Sequence, residues 1–135
     1  MAKLNDDVRV YLAERRFAVL ATIMPDGLPQ QTVMWYELQG DEIMMNTRRG
    51  RIKDLNLVRD PRLSFCVPDG YRYVTLTGTA TLIEDQEVAQ ADIRRLAIRY
   101  HGPEKGEEQA RRLFSQQERI TIRLHIDRVV VDLDE

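Results

Sequence analysis

The chain has 135 residues, 43% of them hydrophobic, and its 20 basic and 22 acidic side chains leave a formal net charge of -2. That size fits a single domain over residues 1–135 with a real core, and the mildly acidic balance argues against a general attraction for nucleic acid. No window is long and apolar enough to span a bilayer, the N-terminus has no apolar signal core, and the single cysteine, Cys66, excludes an internal disulfide, so a cytoplasmic protein without membrane contact is expected.

In chain order, Leu4, Val8, Tyr11 and Leu12 recur at helical spacing behind Asn5 or Asp6, which can cap, and predict a short amphipathic helix. Phe17 to Ile23 is an apolar run of strand length. Pro25-Asp26-Gly27 is a turn signal, and Leu28 to Leu38 reads as the hairpin partner. Gln39-Gly40-Asp41-Glu42 turns the chain into a strand from Glu42 to Thr47.

The next stretch, Asn46 to Arg62, holds six basic residues against two acids, which points to a local anion. Between Asn46 and Pro61 the pattern predicts a loop and a short helix. Ile52, Leu55 and Val58 fall on one side, expected to anchor in the core. Arg49, Lys53 and Asn56 fall on another, free to face a ligand. Amides at such a helix start, with Arg51 and Lys53 beside them, suit a phosphate, and Thr47 adds a hydroxyl. Asp60-Pro61 closes the helix, since proline disfavours helical geometry in the residue before it. A solvated basic helix is the competing reading.

Leu63 to Val67 is a strand in which Cys66 reads as a small inert core residue. After the Pro68-Asp69-Gly70 turn, Arg72 to Ile83 alternates cleanly, with Val74, Leu76, Gly78, Ala80 and Leu82 on one face. Gly78 in mid-strand marks a bulge, a bend or a close approach by another backbone or ligand. Gln86 to Tyr100 carries a helical stripe ended by Gly102-Pro103, and Glu107 to Gln116 predicts another short helix with Ala110, Leu113 and Phe114 inward. The last strand starts with Ile120, Ile122, Leu124 and Ile126 on one face and then shifts to Val129, Val131 and Leu133. That slip places a β-bulge near Asp127-Arg128. Six strands, mostly joined as hairpins, predict a mainly β fold with a few helices: a small antiparallel barrel. No Gly-rich nucleotide fingerprint or Walker loop occurs, and the distant histidines His101 and His125, without cysteine companions, predict no metal site.

The order of these parts resembles a known superfamily. The residues that carry the likeness are Ala18-Val19-Leu20-Ala21-Thr22, Pro25-Asp26-Gly27, the strand to Trp35-Tyr36, and Arg51-x-Lys53-x-x-Asn56-Leu57-x-x-Asp60-Pro61-Arg62. They resemble the pyridoxamine 5'-phosphate oxidase-like, FMN-binding split-barrel superfamily, and within it the short deazaflavin-dependent reductases that use coenzyme F-420. The resemblance implies a six-stranded Greek-key split β-barrel that forms a homodimer with the cofactor at the interface. It also implies that Val33, Met34 and Trp35, with Asn46 and Thr47, line the ring, that Arg51 and Lys53 hold the phosphate, and that Asn56 holds that loop or the cofactor's tail. Coenzyme F-420 is the favoured cofactor and FMN the alternative, because the phosphate motif serves both. Arg48, Arg49 and Arg59 suit the glutamyl tail of the deazaflavin. Without the extra C-terminal segment that true pyridoxamine phosphate oxidases use for substrate, vitamin salvage is not expected.

The resemblance thus implies an oxidoreductase that transfers hydride to an electron-poor organic small molecule. An FMN-dependent flavoprotein of the same superfamily, or a protein that binds the deazaflavin or another anionic cofactor without turnover, is the alternative. No residue stands out as an essential acid or base. Tyr36, Tyr71 and Tyr73 are the available proton donors, each more often a strand tyrosine. Trp35 is expected in the core or dimer interface, Met34, Met44 and Met45 in barrel packing, and His125 toward solvent or a partner chain.

Overall fold

The computed structural model describes residues 3–134, and the element order explains how so short a chain encloses a core. Helix α1 (Asp6–Ala13) begins where Asn5 accepts the Val8 N–H at 2.9 Å, and it buries Val8, Tyr11 and Leu12. Strands β1 (Ala18–Ile23) and β2 (Pro29–Met34) form the first hairpin, followed by β3 (Glu37–Gln39) and β4 (Glu42–Arg48). Helix α2 (Ile52–Arg59) leads to the hairpin of β5 (Arg62–Asp69) and β6 (Arg72–Ile83). Helices α3 (Gln86–His101) and α4 (Pro103–Arg112) then carry the chain, through a 3-10 turn at Phe114–Gln116, to β7 (Arg119–Asp132).

All pairings are antiparallel, in the order β2-β1-β5-β6-β7-β4-β3. The two ends of that order, β2 and β3, are consecutive in the chain and separated only by Trp35 and Tyr36. The sheet must therefore roll until its edges approach. No ladder joins β2 to β3, so the barrel stays open there. This corrects the expectation of six strands: the run read as one strand from Leu28 to Leu38 is two. It breaks because Met34 pairs with Ala18 on one edge while Glu37 pairs with Met44 on the other. The Tyr36 N–H, which a continuous ladder would have paired, donates instead to the Tyr100 hydroxyl at 3.0 Å.

The rolled sheet encloses Leu20, Tyr36, Ile43, Met45, Phe65 and Leu76, with α1 closing one end. A second cluster lies outside the barrel, where α3 packs Ile93, Leu96, Ala97 and Tyr100 over Met44. Strand β4 is thus covered on both faces, and its alternate residues serve two cores. The α4 helix starts at Pro103, earlier than the expected Glu107, because Gly102 (φ 92°) ends α3 while Pro103 is preorganised as a first helical residue. Leu113, expected inward, is exposed, whereas Phe114 joins the second cluster and Ala110 packs against it.

The bulge and the mid-strand glycine are one feature. Thr77 pairs with Arg128 and Gly78 with Ile126, so Asp127 is the extra residue on β7. At Gly78 a Cβ would collide with the backbone carbonyl of His125. Cys66 departs from expectation: it is half-buried on the face of β5 opposite the core residue Phe65. Among the described residues, no helix is long and apolar enough to cross a membrane.

Helix α2 reverses its expected orientation. Ile52, Leu55 and Val58 are 52%, 57% and 74% exposed, while Lys53, Asp54, Asn56 and Leu57 face the protein. Periodicity locates a stripe but does not say what covers it. Here polar bonds decide: Asn56 donates to Thr22 Oγ1 at 3.0 Å, Asp54 accepts the Gly50 N–H at 2.8 Å, and Arg59 donates to the Ile23 carbonyl. Leu57 is the apolar residue of α2 that reaches the core.

Candidate functional site

A cleft of about 300 Å3 opens where β2, β4, the start of α2, α3 and the start of β7 meet. One wall is Val33, Met34 and Trp35; Asn46 and Thr47 lie at the base, with Arg48, Arg51 and Lys53 along the rim toward α2. Seven of the eight residues expected at a cofactor therefore share one cavity. The eighth, Asn56, is buried away from it and ties α2 to β1 through Thr22.

The opposite wall was not foreseen. It consists of Ile93 and Leu96 from α3, Phe114, Gln117, and Arg119 at the start of β7. Helical periodicity marked Ile93 and Leu96 as core, and nothing local distinguished Arg119 from the chain's other arginines. Its significance comes from strand pairing, which sets Arg119 opposite Arg48 and Thr121 opposite Asn46.

Of the six cations between Asn46 and Arg62, only Arg48, Arg51 and Lys53 line the cleft. Arg49 is held by Glu84 and Glu118, each at 2.5 Å, Arg62 by Asp60 at 2.8 Å, and Arg59 leans on Asn56 and the Ile23 carbonyl. With Arg119, the cleft lining carries four cations and no carboxylate. Lys53 and Arg119 are each only 8% exposed. Burial, then Arg51 and Arg119 nearby, pulls the Lys53 ammonium below its ordinary pKa despite the opposing pull of Asp54. Burial, with Arg48 and Arg51, brings Arg119 down to about 10. Asp54 offsets only part of this at Lys53, and nothing of the kind acts on Arg119; buried positive charge so weakly compensated is costly, and an anion in the cleft would relieve it.

A chain of hydrogen bonds holds this arrangement. Arg119 Nε donates to Asn46 Oδ1 at 2.9 Å, and Asn46 Nδ2 donates to the Ala89 carbonyl at 2.9 Å. Thr121, which accepts from Asn46, donates in turn to Asp92 at 2.7 Å. On the other wall Trp35 stacks on Tyr100 with centroids 5.2 Å apart and planes 10° from parallel, and His101 meets its edge at 5.1 Å. Trp35 is thus half-buried, packed against the second core cluster on one side and bordering the cleft on the other. Of the methionines, Met44 and Met45 pack in cores, while Met34 is buried and also borders the cleft.

None of the three tyrosines considered as proton donors lines the cleft. Tyr36 is fully buried and donates to the Leu12 carbonyl at 3.0 Å, and burial raises its pKa further. Tyr71 projects from the β5–β6 turn, and Tyr73 sits half-buried on β6. His125 packs on the sheet surface, its ring nitrogens 2.5 Å from Glu42 and 2.7 Å from Thr81.

Known proteins resemble this chain along most of its length. The F420H(2)-dependent biliverdin reductase of Mycobacterium tuberculosis is 25% identical over 134 residues, covering 98% of this chain and 90% of the relative. The crystal structure of a conserved hypothetical protein from the same organism superposes with a TM-score of 0.80 at 31% identity, covering 96% of this chain and 84% of that one. A solved F420 reductase superposes with a TM-score of 0.76 at 23% identity, covering 94% and 98%, a likeness of fold. The family model described as pyridoxamine 5'-phosphate oxidase matches residues 4–129, and with that span matched the chain belongs to the pyridoxamine 5'-phosphate oxidase family.

Proposed function

We propose that this protein is an oxidoreductase that binds the deazaflavin coenzyme F-420 in the cationic cleft and reduces an electron-poor organic molecule with it. The observation that carries the reading is a cleft with four cations, two of them buried, and no acid in its lining. Lys53 and Arg51 at the start of α2, with Thr47 beside them, supply two charges and a hydroxyl to a phosphate group. Val33, Met34 and Trp35 supply a flat apolar wall to a ring. A bound deazaflavin contributes two-electron hydride transfer, and the protein's part is binding, orientation and exclusion of water. The Mycobacterium tuberculosis relative is named for this type of reaction, the reduction of biliverdin with F420H(2).

A cavity of about 300 Å3 is at the small end of small-molecule sites. Part of a bulky cofactor would stand outside it, beside exposed Val33 and the exposed apolar stripe of α2. A second copy of the chain covering that stripe would complete the site, giving a homodimer with cofactor at its interface.

The test is a titration of the apo-protein with coenzyme F-420 and, in parallel, FMN, followed by quenching of Trp35. Binding of the deazaflavin, abolished in the Arg51→Ala/Lys53→Ala double variant, and turnover of the reduced cofactor with an acceptor are expected. Preference for FMN would move the protein to flavin chemistry. Binding without turnover across a panel of acceptors would make it a carrier, and unchanged affinity in the double variant would overturn the phosphate assignment.

A further inference from the structure

Arg119 lies outside the basic segment, more than fifty residues and several elements beyond it, yet its guanidinium lines the same cleft. It is 8% exposed and has no carboxylate partner among the described residues. Its protein bonds go to neutral acceptors, Nε to Asn46 Oδ1 at 2.9 Å and one terminal nitrogen to Gln117 Oε1 at 2.8 Å. Phe114 lies under it, 4.7 Å from the guanidinium carbon to the ring centroid. A guanidinium has five N–H donors in a rigid fork. Two are engaged here, and the second terminal nitrogen bonds no protein group among the described residues.

The cleft's other cations differ in how far water weakens them. Arg48 and Arg51 are exposed, so solvent screens their attraction for an anion. Arg119 and Lys53 sit where the effective dielectric is lower and each charge counts for more. Asn46, Gln117 and Phe114 fix the Arg119 fork beforehand, so less side-chain freedom is lost when it binds.

We propose that Arg119 is a ligand-binding residue of this cleft, a buried fork that grips the oxyanion of a phosphorylated cofactor together with Lys53. The proposal rests on the reading of the cleft as a phosphate-binding site and names the residue that supplies much of its discrimination. The exposed Arg51 then contributes less than Arg119, despite belonging to the basic segment that carries part of the family resemblance.

Two ligand pairs test this: FMN against riboflavin, which differ by the phosphate alone, and coenzyme F-420 against its ribityl-deazaflavin core, which lacks both the phosphate and the glutamyl tail. Dissociation constants and apo melting temperatures are measured for the wild type, Arg119→Gln, Arg119→Lys, Arg51→Gln and Lys53→Met. The preference for the phosphorylated member should fall by about tenfold or more in Arg119→Gln and less in Arg119→Lys, which keeps charge but loses the fork, while Arg51→Gln has the smallest effect. Affinity for the phosphate-free members should hardly change. Parallel weakening of both members, with a lower apo melting temperature, would make Arg119 structural and overturn the proposal. So would a wild-type preference kept in Arg119→Gln or, should that variant not fold, in Arg119→Lys, while Lys53→Met loses it. No preference in the wild type would instead remove the phosphate reading itself.

Discussion

The Tyr100 hydroxyl accepts the backbone N–H of Tyr36 at 3.0 Å and donates to the Arg16 carbonyl at 2.6 Å. One side chain from α3 thus satisfies the backbone at the point where the rolled sheet changes edges, and its ring supports Trp35 at the cleft wall. Tyr100→Phe keeps the ring but leaves a buried N–H unpaired, at a cost of about 1–3 kcal/mol. Denaturant unfolding should show that loss, and emission from Trp35, the chain's single tryptophan, should report whether the wall has moved.

Gly78 offers a sharper test of the barrel. Its Cβ position is occupied by the His125 carbonyl, and both belong to paired strands that cannot separate without breaking the ladder at the Asp127 bulge. Gly78→Ala should destabilise by about 3 kcal/mol, the upper range for overpacking. A melting temperature equal to that of the wild type would show that the two strands do not approach as described.

The apolar stripe of α2 is the expected contact with a second copy. Leu55→Glu and Val58→Glu place charge on side chains already exposed in one chain, so folding should be little affected. Scattering should show a dimer for the wild type and a monomer for the double variant, with weaker cofactor binding. A monomeric wild type would remove the shared-interface site.

Affinity for a phosphorylated ligand should depend on pH through Lys53. Burial and neighbouring cations depress its pKa in the free protein, and a bound anion raises it again. The sign follows: the complex holds a proton the free protein has begun to lose. Affinity is therefore complete below the free-protein pKa and falls as pH rises toward the pKa of the complex, by at most about tenfold per unit for one proton. Titrations at successive alkaline pH values should show the fall in the wild type and a flatter profile in Lys53→Met.

The same Lys53 bears on stability with the opposite sign. In the apo-protein its folded pKa lies below its unfolded value, so the unfolded chain binds more protons in that interval. This contribution raises apo stability as pH climbs through the folded pKa toward the unfolded one. Comparing wild-type and Lys53→Met unfolding over that range isolates it from the tyrosines, whose raised values act in the other direction.

Much of this protein was legible in its sequence because the signals are local. Asn5 caps α1 through a bond three residues away, the turn glycines accommodate positive φ, and the phase slip at Asp127 is visible in alternation alone. The Ala18–Thr22 run, the Pro25-Asp26-Gly27 turn, the strand to Trp35-Tyr36 and the Arg51–Arg62 block together carried the resemblance to the family that the chain belongs to. What the tertiary structure decided depends on groups distant in sequence. Leu28–Leu38 divides into two strands because its halves pair with opposite edges of a rolled sheet. Helix α2 turns its apolar stripe outward because Asn56, Asp54 and Arg59 bond to β1 and the preceding loop. Arg119 joins Lys53 in the cleft because β7 pairs with β4, bringing a cation from near the end of the chain to one from its middle. Periodicity records which residues share a side, whereas which side meets protein, solvent or ligand is settled by long-range pairing.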